Sequence, residues 1–454
     1  MNSKAVKRFV KHSKRILGIF AALLLFSSIT DALNYIYVSD DAWSRILWHR
    51  FYEDKGKIDN VYLGSSHVYY NLNPMLLDNL NGQHNFNLAT SGQRLNGSYY
   101  LLKEADRLNS LSHVYLELYF DMSIKTEYGN DPIIGDLSWN WKNIDYMEPS
   151  INKMVYTLSI TGIDKYVDTF FPFVRYREQL NNHTYINSVI SKKKDADYLA
   201  YRYRIYNEEK QFTEEYQQQG FHYITLTIPD TAFSAEIRII EENPMGRESK
   251  EYICKIINYC QKRDIPITLF VAPMIELNLV RLGNYDYYIN QVREIAEEYQ
   301  VPFYDFNLAK EEYLSFQRNE HFRDFHHLNS AGADIFTPFF HEVVSQEFSE
   351  NEKYFYTTYA EKIESTDPAI YGLTYKTAAD ETQNTVRIYN IASNREEEME
   401  YRIIMTPNDG EQYIVQDFST NKDFTVDEQE NGICKIVARM KNDHKEVQTM
   451  EIEY

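Results

Sequence analysis

The stretch VYLGSSH, Val61–His67, sets a short apolar run directly before two serines. This pattern predicts a strand over Asn60–Leu63 that turns sharply into a helix. A serine at the start of that helix carries its hydroxyl at the carboxyl end of the strand, and its backbone amide lies at the positive end of the helix dipole. The sequence therefore favours Ser66 as a nucleophile that also donates to an oxyanion, with Ser65 as the alternative nucleophile. Taken alone, such a tripeptide is more often an ordinary loop.

Further apolar runs follow, and amphipathic stretches with helical spacing separate them. Alternation of this kind predicts an α/β fold, a three-layer arrangement in which helices cover a parallel sheet. Ligands of such sheets bind beyond the carboxyl ends of the strands, so chemistry is expected in the loops that follow each run. The predicted strands after the first are His84–Ala89, Val114–Phe120, Ile265–Ala272 and Val301–Phe306.

A second polar motif, FRDFHHLNSAGA, precedes the last predicted helix, Ser330–Phe348. Asp324 stands three residues before His327, and a carboxylate so close to a histidine can fix its tautomer and stabilise the imidazolium. His326 is expected to point away from the site if His327 points into it. The alternative is that this Asp-x-x-His sequence forms a solvated turn without a catalytic role.

A third candidate is Gly92, at the end of the second predicted strand. Its amide could reach a ligand oxygen unhindered, although an ordinary turn glycine explains the same residue. His67 is interpreted as a structural histidine. No histidine, cysteine or carboxylate group has metal spacing and no glycine-rich phosphate loop is present, so the sequence predicts no metal and no cofactor.

Two regions interrupt the α/β pattern. Residues 121–247 are polar, aromatic and largely helical in pattern, which predicts either a lid over the site or a helical subdomain that only packs. Residues 365–454 alternate in polarity between turn signals, which predicts a separate C-terminal β-sandwich without catalytic residues. The α/β domain itself is expected over 39–350.

The first segment, residues 1–38, combines six basic residues with the apolar run Ile16–Ile29. A basic flank before an apolar run predicts a transmembrane helix whose basic side stays in the cytoplasm, with the rest of the chain extracellular. A cleaved signal peptide is the alternative, but Thr30-Asp31-Ala32 is a poor cleavage site. We therefore expect a retained single-pass anchor in the cell membrane.

The composition excludes some classes of function. The formal charge is −20, which disfavours nucleic acid as a partner. The three cysteines, Cys254, Cys260 and Cys434, are too few and too scattered for a disulfide framework.

Together the motifs resemble the SGNH (GDSL-like) hydrolase superfamily, and more closely its DltD-like and polysaccharide O-acetylation branches. The resemblance covers residues 58–348, and its most specific element is the D-x-x-H-L-N-x-x-G sequence from Asp324. It implies a flavodoxin-like fold, Ser66 as nucleophile and oxyanion donor, Gly92 as second donor, His327 as base and Asp324 as its orienting acid. The usual third block, Gly-x-Asn-Asp after the middle strand, is absent here.

This resemblance leads to an expected function. The chain would be a serine esterase or O-acyltransferase acting on cell-envelope polysaccharide or teichoic acid, with a multi-span membrane acyltransferase as an expected partner. Two alternatives stay open: a non-catalytic glycan-binding or assembly protein on a degraded SGNH fold, and a secreted hydrolase of lipids or small esters.

Overall fold

The computed structural model describes residues 3–119, 132–228, 245–282, 285–379, 384–408, 410–421, 424–428 and 432–453. Within these ranges the strands are β1 (Asn60–Leu63), β2 (Asn85–Asn87), β3 (His113–Glu117), β4 (Arg204–Tyr206), β5 (Phe212–Tyr216), β6 (His222–Ile224), β7 (Ile267–Val271), β8 (Phe303–Asp305), β9 (Ile370–Ala379), β10 (Asn384–Ser393), β11 (Met399–Pro407), β12 (Tyr413–Ser419), β13 (Phe424–Glu428), β14 (Gly432–Met440) and β15 (Glu446–Glu453).

The α-helices are α1 (Ser3–Tyr37), α2 (Ala42–Glu53), α3 (Ser66–Asn71), α4 (Pro74–Asn81), α5 (Leu95–Leu108), α6 (Pro132–Ile144), α7 (Ile151–Ile160), α8 (Tyr166–Phe170), α9 (His183–Lys193), α10 (Ala196–Leu199), α11 (Arg247–Gln261), α12 (Glu276–Leu282), α13 (Tyr285–Tyr299), α14 (Arg318–His321), α15 (Ser330–Val344) and α16 (Tyr359–Ser365). Short 3-10 helices lie between them, among them Pro172–Gln179.

The chain divides into two compact units. The first contains residues 1–55 and 127–205, and the second contains 56–126 and 206–454. These boundaries differ from the three predicted segments, because most of the expected insertion at 121–247 belongs to the same unit as α1. The lid and the separate folding of 365–454 remain predictions.

The second unit contains the expected parallel sheet. Its strand order is β2-β1-β3-β7-β8, and every neighbouring pair is parallel. All residues of β1, β2 and β7 are buried, as expected for strands of a parallel sheet that is covered on both faces. The five predicted strands are therefore present, although most of them are shorter than the apolar runs that predicted them. Because the strands are parallel, their carboxyl ends meet at one edge.

A polar residue near the end of the fifth apolar run explains why its strand is short. The fifth run was predicted to continue through Phe306, but β8 stops at Asp305, whose side chain accepts the Asn307 backbone N–H at 3.0 Å and starts a 3-10 turn. The last helix was predicted to reach Phe348, whereas α15 ends at Val344.

The C-terminal strands form two antiparallel sheets, with orders β13-β10-β9 and β12-β11-β14-β15. Burial alternates along β11, as the sequence pattern predicted for a half-buried strand. One apolar cluster joins buried side chains of both sheets, including Ile391 of β10 and Tyr401 of β11. The turn signals that the sequence places between these strands include Asn408-Asp409-Gly410 and Asn431-Gly432. Of these residues, Asp409 and Asn431 lie outside the described part of the chain.

In the first unit, α1 is long and apolar enough to cross a membrane. The segment His12–Tyr37 has 26 residues, and an 18-residue window within it has a mean hydropathy of 2.1. The helix continues without a break through Thr30-Asp31-Ala32, where the alternative prediction placed a cleavage site. Length and composition alone do not distinguish an anchor from a signal sequence, so retention of α1 remains a prediction.

Candidate functional site

The structure brings three of the four predicted site residues together in the second unit. The Ser66 hydroxyl oxygen lies 2.7 Å from Nε2 of His327. On the other side of the ring, Nδ1 of His327 lies 2.8 Å from Oδ1 and 3.0 Å from Oδ2 of Asp324. A carboxylate can only accept, so Nδ1 carries the proton and Nε2 is left to accept the Ser66 proton. The arrangement can therefore activate the serine hydroxyl.

Ser66 is the first residue of α3, directly after the carboxyl end of β1. Ser65 is the N-cap, and its hydroxyl accepts the backbone N–H of His67 at 3.4 Å. Ser65 is also 2% exposed and contacts Glu117, whereas the Ser66 hydroxyl contacts His327. Of the two candidate nucleophiles, Ser66 is thus the one that faces the histidine.

The sharp turn before Ser66 depends on Gly64. A Cβ at this position would lie 2.7 Å from Cβ of Glu117 and 2.7 Å from Cγ2 of Val68. Only glycine permits this close approach of β1, β3 and α3. The glycine of the first motif is thereby explained by packing on the neighbouring strand.

Glu117, the last residue of β3, accepts hydrogen bonds from Ser65 in the turn that precedes Ser66. Its Oε2 accepts from both the backbone N–H and the hydroxyl of Ser65, each at 3.3 Å. Burial raises the pKa of Glu117 to about 8, although the two hydrogen bonds from Ser65 oppose the shift. The carboxyl group is therefore mostly protonated at neutral pH. The sequence did not identify this residue.

The acid and base form one local turn. Oδ1 of Asp324 accepts the backbone N–H of His326 at 2.8 Å and that of His327 at 3.0 Å. Burial favours the neutral acid, but the hydrogen bond and charge of His327, the His326 N–H and the Arg323 charge outweigh it and hold the pKa of Asp324 well below its usual range. The Asp324 side chain is 37% exposed and that of His327 is 17% exposed, so solvent reaches the acid.

Asn71, the last residue of α3, connects the serine helix to the histidine loop. It is fully buried, its Oδ1 accepts the Leu328 N–H at 3.2 Å, and its Nδ2 donates to the Pro273 carbonyl at 3.4 Å. Three segments that are distant in sequence therefore meet on one amide. Nothing in the pattern around Asn71 pointed to this role.

Gly92 lies at the carboxyl edge of the sheet, as expected, but without a described contact to Ser66. It lies in the turn after β2, the neighbour of β1, with a φ of 65°. This left-handed conformation is the one that glycine adopts in turns. No described contact joins Gly92 to Ser66 or His327, so its role as an oxyanion donor stays a prediction.

His67 and His326 flank the site without joining the Ser66–His327–Asp324 chain. The His67 ring is 1% exposed, is stacked on Tyr119 at 3.9 Å between centroids, and lies 4.8 Å from the ring of His327. Desolvation, together with the nearby His327 and His326, lowers the pKa of His67 well below its usual value, so this ring is neutral. Among the described residues, neither of its ring nitrogens has a hydrogen-bond partner.

His326 is held by the region where the third sequence block was expected. Its Nδ1 lies 2.9 Å from the Tyr119 hydroxyl and 2.7 Å from Nδ2 of Asn278. Phe120 and Asp121, which follow Tyr119, lie outside the described residues. The two nearby donor groups, on Tyr119 and Asn278, are directed at His326, and no described contact brings either of them to Ser66.

The end of the predicted insertion contributes to this unit. Strands β5 and β6 form an antiparallel pair, and the ring of His222 on β6 is stacked on Tyr70 of α3 at 4.7 Å. The Ile224 N–H donates to the Ser330 hydroxyl at 2.7 Å, directly after the histidine loop. This segment therefore packs beside the candidate site, which the helical pattern of 121–247 did not indicate.

Across the described ranges, no group of three or more His, Cys, Asp or Glu side chains could hold a metal ion. The cysteines in that part of the chain are free thiols.

Comparisons with known proteins add little to this description. A family model without a descriptive name matches residues 177–349, which is less than half of the chain. No curated protein matches the chain. Among solved structures, a Cellulomonas fimi endo-beta-1,4-mannanase double mutant is 9% identical, with 93% of this chain and 98% of that one covered and a TM-score of 0.15. A score at this level carries no argument about fold or function.

Proposed function

We propose that this chain is a membrane-anchored, extracellular SGNH-type serine esterase or O-acyltransferase. Its substrate would be an ester on cell-envelope polysaccharide or teichoic acid. One observation carries the proposal: Ser66, His327 and Asp324 form a continuous hydrogen-bonded chain, with 2.7 Å between Ser66 and His327 and 2.8 Å between His327 and Asp324. This order of nucleophile, base and orienting acid is the one that acyl transfer requires.

The reaction would proceed in two steps. Nε2 of His327 takes the Ser66 proton while the serine oxygen attacks the ester carbonyl carbon. The intermediate collapses, the alcohol oxygen leaves with the proton from His327, and an acyl group remains on Ser66. In the second step a sugar hydroxyl or water gives its proton to His327 and attacks the acyl carbon. The Ser66 oxygen then leaves from that carbon and takes the proton back from His327, which restores Ser66. The backbone amides of Ser66 and Gly92 would stabilise the oxyanion in both steps.

The proposed fold extends the observed sheet. Its order, second-first-third-fourth-fifth strand, is that of flavodoxin-like folds, whose ligands bind at the carboxyl edge where the strand order reverses. We propose that helices cover both faces in three layers, as in the SGNH superfamily. The two C-terminal sheets would form a β-sandwich, and α1 would be the single-pass anchor with its basic flank in the cytoplasm.

One observation favours a second function, a non-catalytic glycan-binding protein on the same fold. The side-chain donor of the third block is missing from the sequence, and the donors of Tyr119 and Asn278 are directed at His326 instead. Loss of one oxyanion donor commonly costs about a hundred- to a thousandfold in rate.

A fluorophosphonate probe distinguishes the two functions. The probe reacts with an activated serine, and peptide mapping identifies the labelled residue. We expect label on Ser66 that is lost in Ser66→Ala and in His327→Ala and retained in Ser65→Ala. No label on the folded full-length protein would favour the binding protein.

The molecule that accepts the acyl group distinguishes hydrolysis from transfer. Full-length protein in membranes is given a soluble acetyl ester with and without a glycan that has free hydroxyls. Ester on the glycan supports transfer, whereas acetate alone supports hydrolysis. A multi-span membrane protein that supplies acyl groups is the proposed partner for transfer.

A further inference from the structure

The polarity of two helices in the first unit is inverted. On α7 the buried residues include Asn152 and Thr157, while Ile151, Met154 and Leu158 are 78%, 48% and 44% exposed. These three apolar positions, together with Val155, follow the spacing i, i+3, i+4 and i+7 and therefore share one side of the helix. A helix surrounded by water turns its apolar side inward. The exposed side of α7 is apolar, so it is poorly suited to contact with water.

The same inversion continues on the segment that follows. In α8, Thr169 is 3% exposed and accepts the indole N–H of Trp141 at 3.0 Å, whereas Val167 is 56% exposed and Phe170 is 44% exposed. Ile163, between the two helices, is 84% exposed. We call this exposed set of Ile151, Met154, Val155, Leu158, Ile163, Val167 and Phe170 the apolar face.

The apolar face is continuous with α1. Helix α7 packs on α8, α8 packs on the 3-10 helix Pro172–Gln179, and that helix packs on α1. The ring of Phe171 meets that of Phe26 at 5.7 Å, and the Phe173 N–H donates to Oδ1 of Asn34 at 3.1 Å. The segment after α8 therefore lies along the apolar part of the helix.

The depth of this contact can be estimated along α1. Asp31 is an exposed acid, which marks a level that must be hydrated. Phe26 stands five residues earlier and so lies roughly 7.5 Å deeper, at about 1.5 Å per residue. Helices that lie in a membrane surface bury their apolar side by about 5–10 Å. Phe171 would therefore sit at the depth of an interfacial helix when α1 crosses a bilayer.

We propose that the apolar face inserts into the lipid leaflet at the C-terminal end of α1. The chain would then contact the membrane in two places, through a spanning helix and through a segment that lies in the membrane surface. Lipid fits better than water because seven apolar side chains are exposed while the polar residues Asn152, Thr157 and Thr169 are buried. The inference rests on α1 crossing a membrane, which belongs to the proposed function, but it does not depend on the chemistry of Ser66.

Site-directed spin labelling tests the insertion. Full-length protein carries Cys254→Ser and one added cysteine, Leu158→Cys or Ile163→Cys, and is placed in phosphatidylcholine–phosphatidylglycerol vesicles. Cys260 and Cys434 are buried and react slowly. Leu23→Cys reports on α1, and Ile414→Cys, an apolar residue of β12 that is 56% exposed, is the matched control for water.

Labels on the apolar face should be accessible to oxygen and shielded from a water-soluble nickel chelate, as at Leu23, while Ile414 should show the reverse. Adding Met154→Glu and Leu158→Glu should shift the Ile163 label towards the chelate. If Leu23 is in lipid but the face behaves like Ile414, the insertion is wrong and the anchor stands. Shielding from both reagents would mean that protein covers the face and would also overturn the proposal. If the label at Leu23 is accessible to the water-soluble chelate, both the anchor and the insertion are wrong.

Discussion

The Oδ1 atom of Asn71 accepts the backbone N–H of Leu328 at 3.2 Å, although 257 positions separate the two residues in the chain. Asn71 ends the helix that begins with Ser66, and Leu328 follows His327 directly. This single hydrogen bond therefore links the segment that carries the nucleophile to the segment that carries the base. Asn71 is a positioning residue, because it contacts neither reacting atom itself.

Asn71→Leu should slow the reaction of Ser66. The change keeps the size of the side chain but leaves the Leu328 N–H without its acceptor, which costs about 1–3 kcal/mol in stability. At saturating fluorophosphonate we expect the labelling rate to fall while the concentration for half-maximal rate stays the same.

Asn87→Leu is the matched control for this variant. Asn87 is equally buried and donates to the Leu72 carbonyl at 2.8 Å, but it has no hydrogen bond to the histidine loop. It should lose stability without a change in the labelling rate of the folded fraction. Equal rate losses in both variants would refute the positioning role of Asn71.

Asp324→Asn should nearly abolish activity while the fold persists. The amide oxygen can still accept the backbone N–H groups of His326 and His327. Its NH2 group, however, can donate to Nδ1 of His327 and so favour the tautomer in which Nδ1 carries no proton. In a comparable triad this change costs about 10⁴ in turnover. Asp334→Asn, the same substitution at an exposed position of α15, serves as the control. Turnover of a chromogenic acetyl ester is the measurement, and retained activity in Asp324→Asn would contradict the assignment of the acid.

Glu117→Gln should change how stability depends on pH. Because the folded pKa of Glu117 is raised to about 8, the folded protein holds a proton that the unfolded chain releases from about pH 4.5 upward. The wild-type protein therefore loses stability as the pH rises through this window, and the loss levels off above pH 8. A glutamine keeps an acceptor for Ser65 and has no proton to lose.

The difference in melting temperature between Glu117→Gln and the wild type should accordingly grow in favour of the variant between pH 5 and pH 8. Thermal unfolding at four or five pH values in this range measures it. Two parallel curves would show that Glu117 titrates normally and that its burial does not raise its pKa.

His67→Phe distinguishes a structural histidine from a functional one. Phenylalanine preserves the ring stack on Tyr119, and it removes two buried nitrogens that lack partners. If His67 only packs, the melting temperature should stay the same or rise, and the labelling of Ser66 should persist. Loss of labelling in a variant that is at least as stable would assign His67 to the reaction.

Motifs that are local in sequence could be predicted, and contacts between distant segments could not. Val61–His67 contains its own strand, turn and helix start, and Asp324 and His327 are three residues apart, so both motifs could be recognised in the sequence once the family resemblance linked them. The contact of Glu117 with Ser65 spans 52 positions and that of Asn71 with Leu328 spans 257. Such pairings depend on which strands become neighbours, and the composition around Glu117 or Asn71 carries no trace of it.

The two units do not coincide with the predicted segments for a related reason. The expected insertion at 121–247 was assigned to the α/β domain because it interrupts that domain in sequence. Its helices instead group with α1, through contacts such as that of Phe171 with Phe26. Alternation of apolar and polar residues does predict that helices form, but it does not say which helix they pack against.

The turn from Asp324 to His327 has a consequence for how the site can adjust. Because the Asp324 carboxylate binds the backbone of His326 and His327 as well as the His327 ring, acid and base belong to one hydrogen-bonded turn of four residues. The serine lies on a different segment of the chain. A change in the spacing of these two segments therefore alters the distance between serine and imidazole without breaking the hydrogen bonds that fix the tautomer.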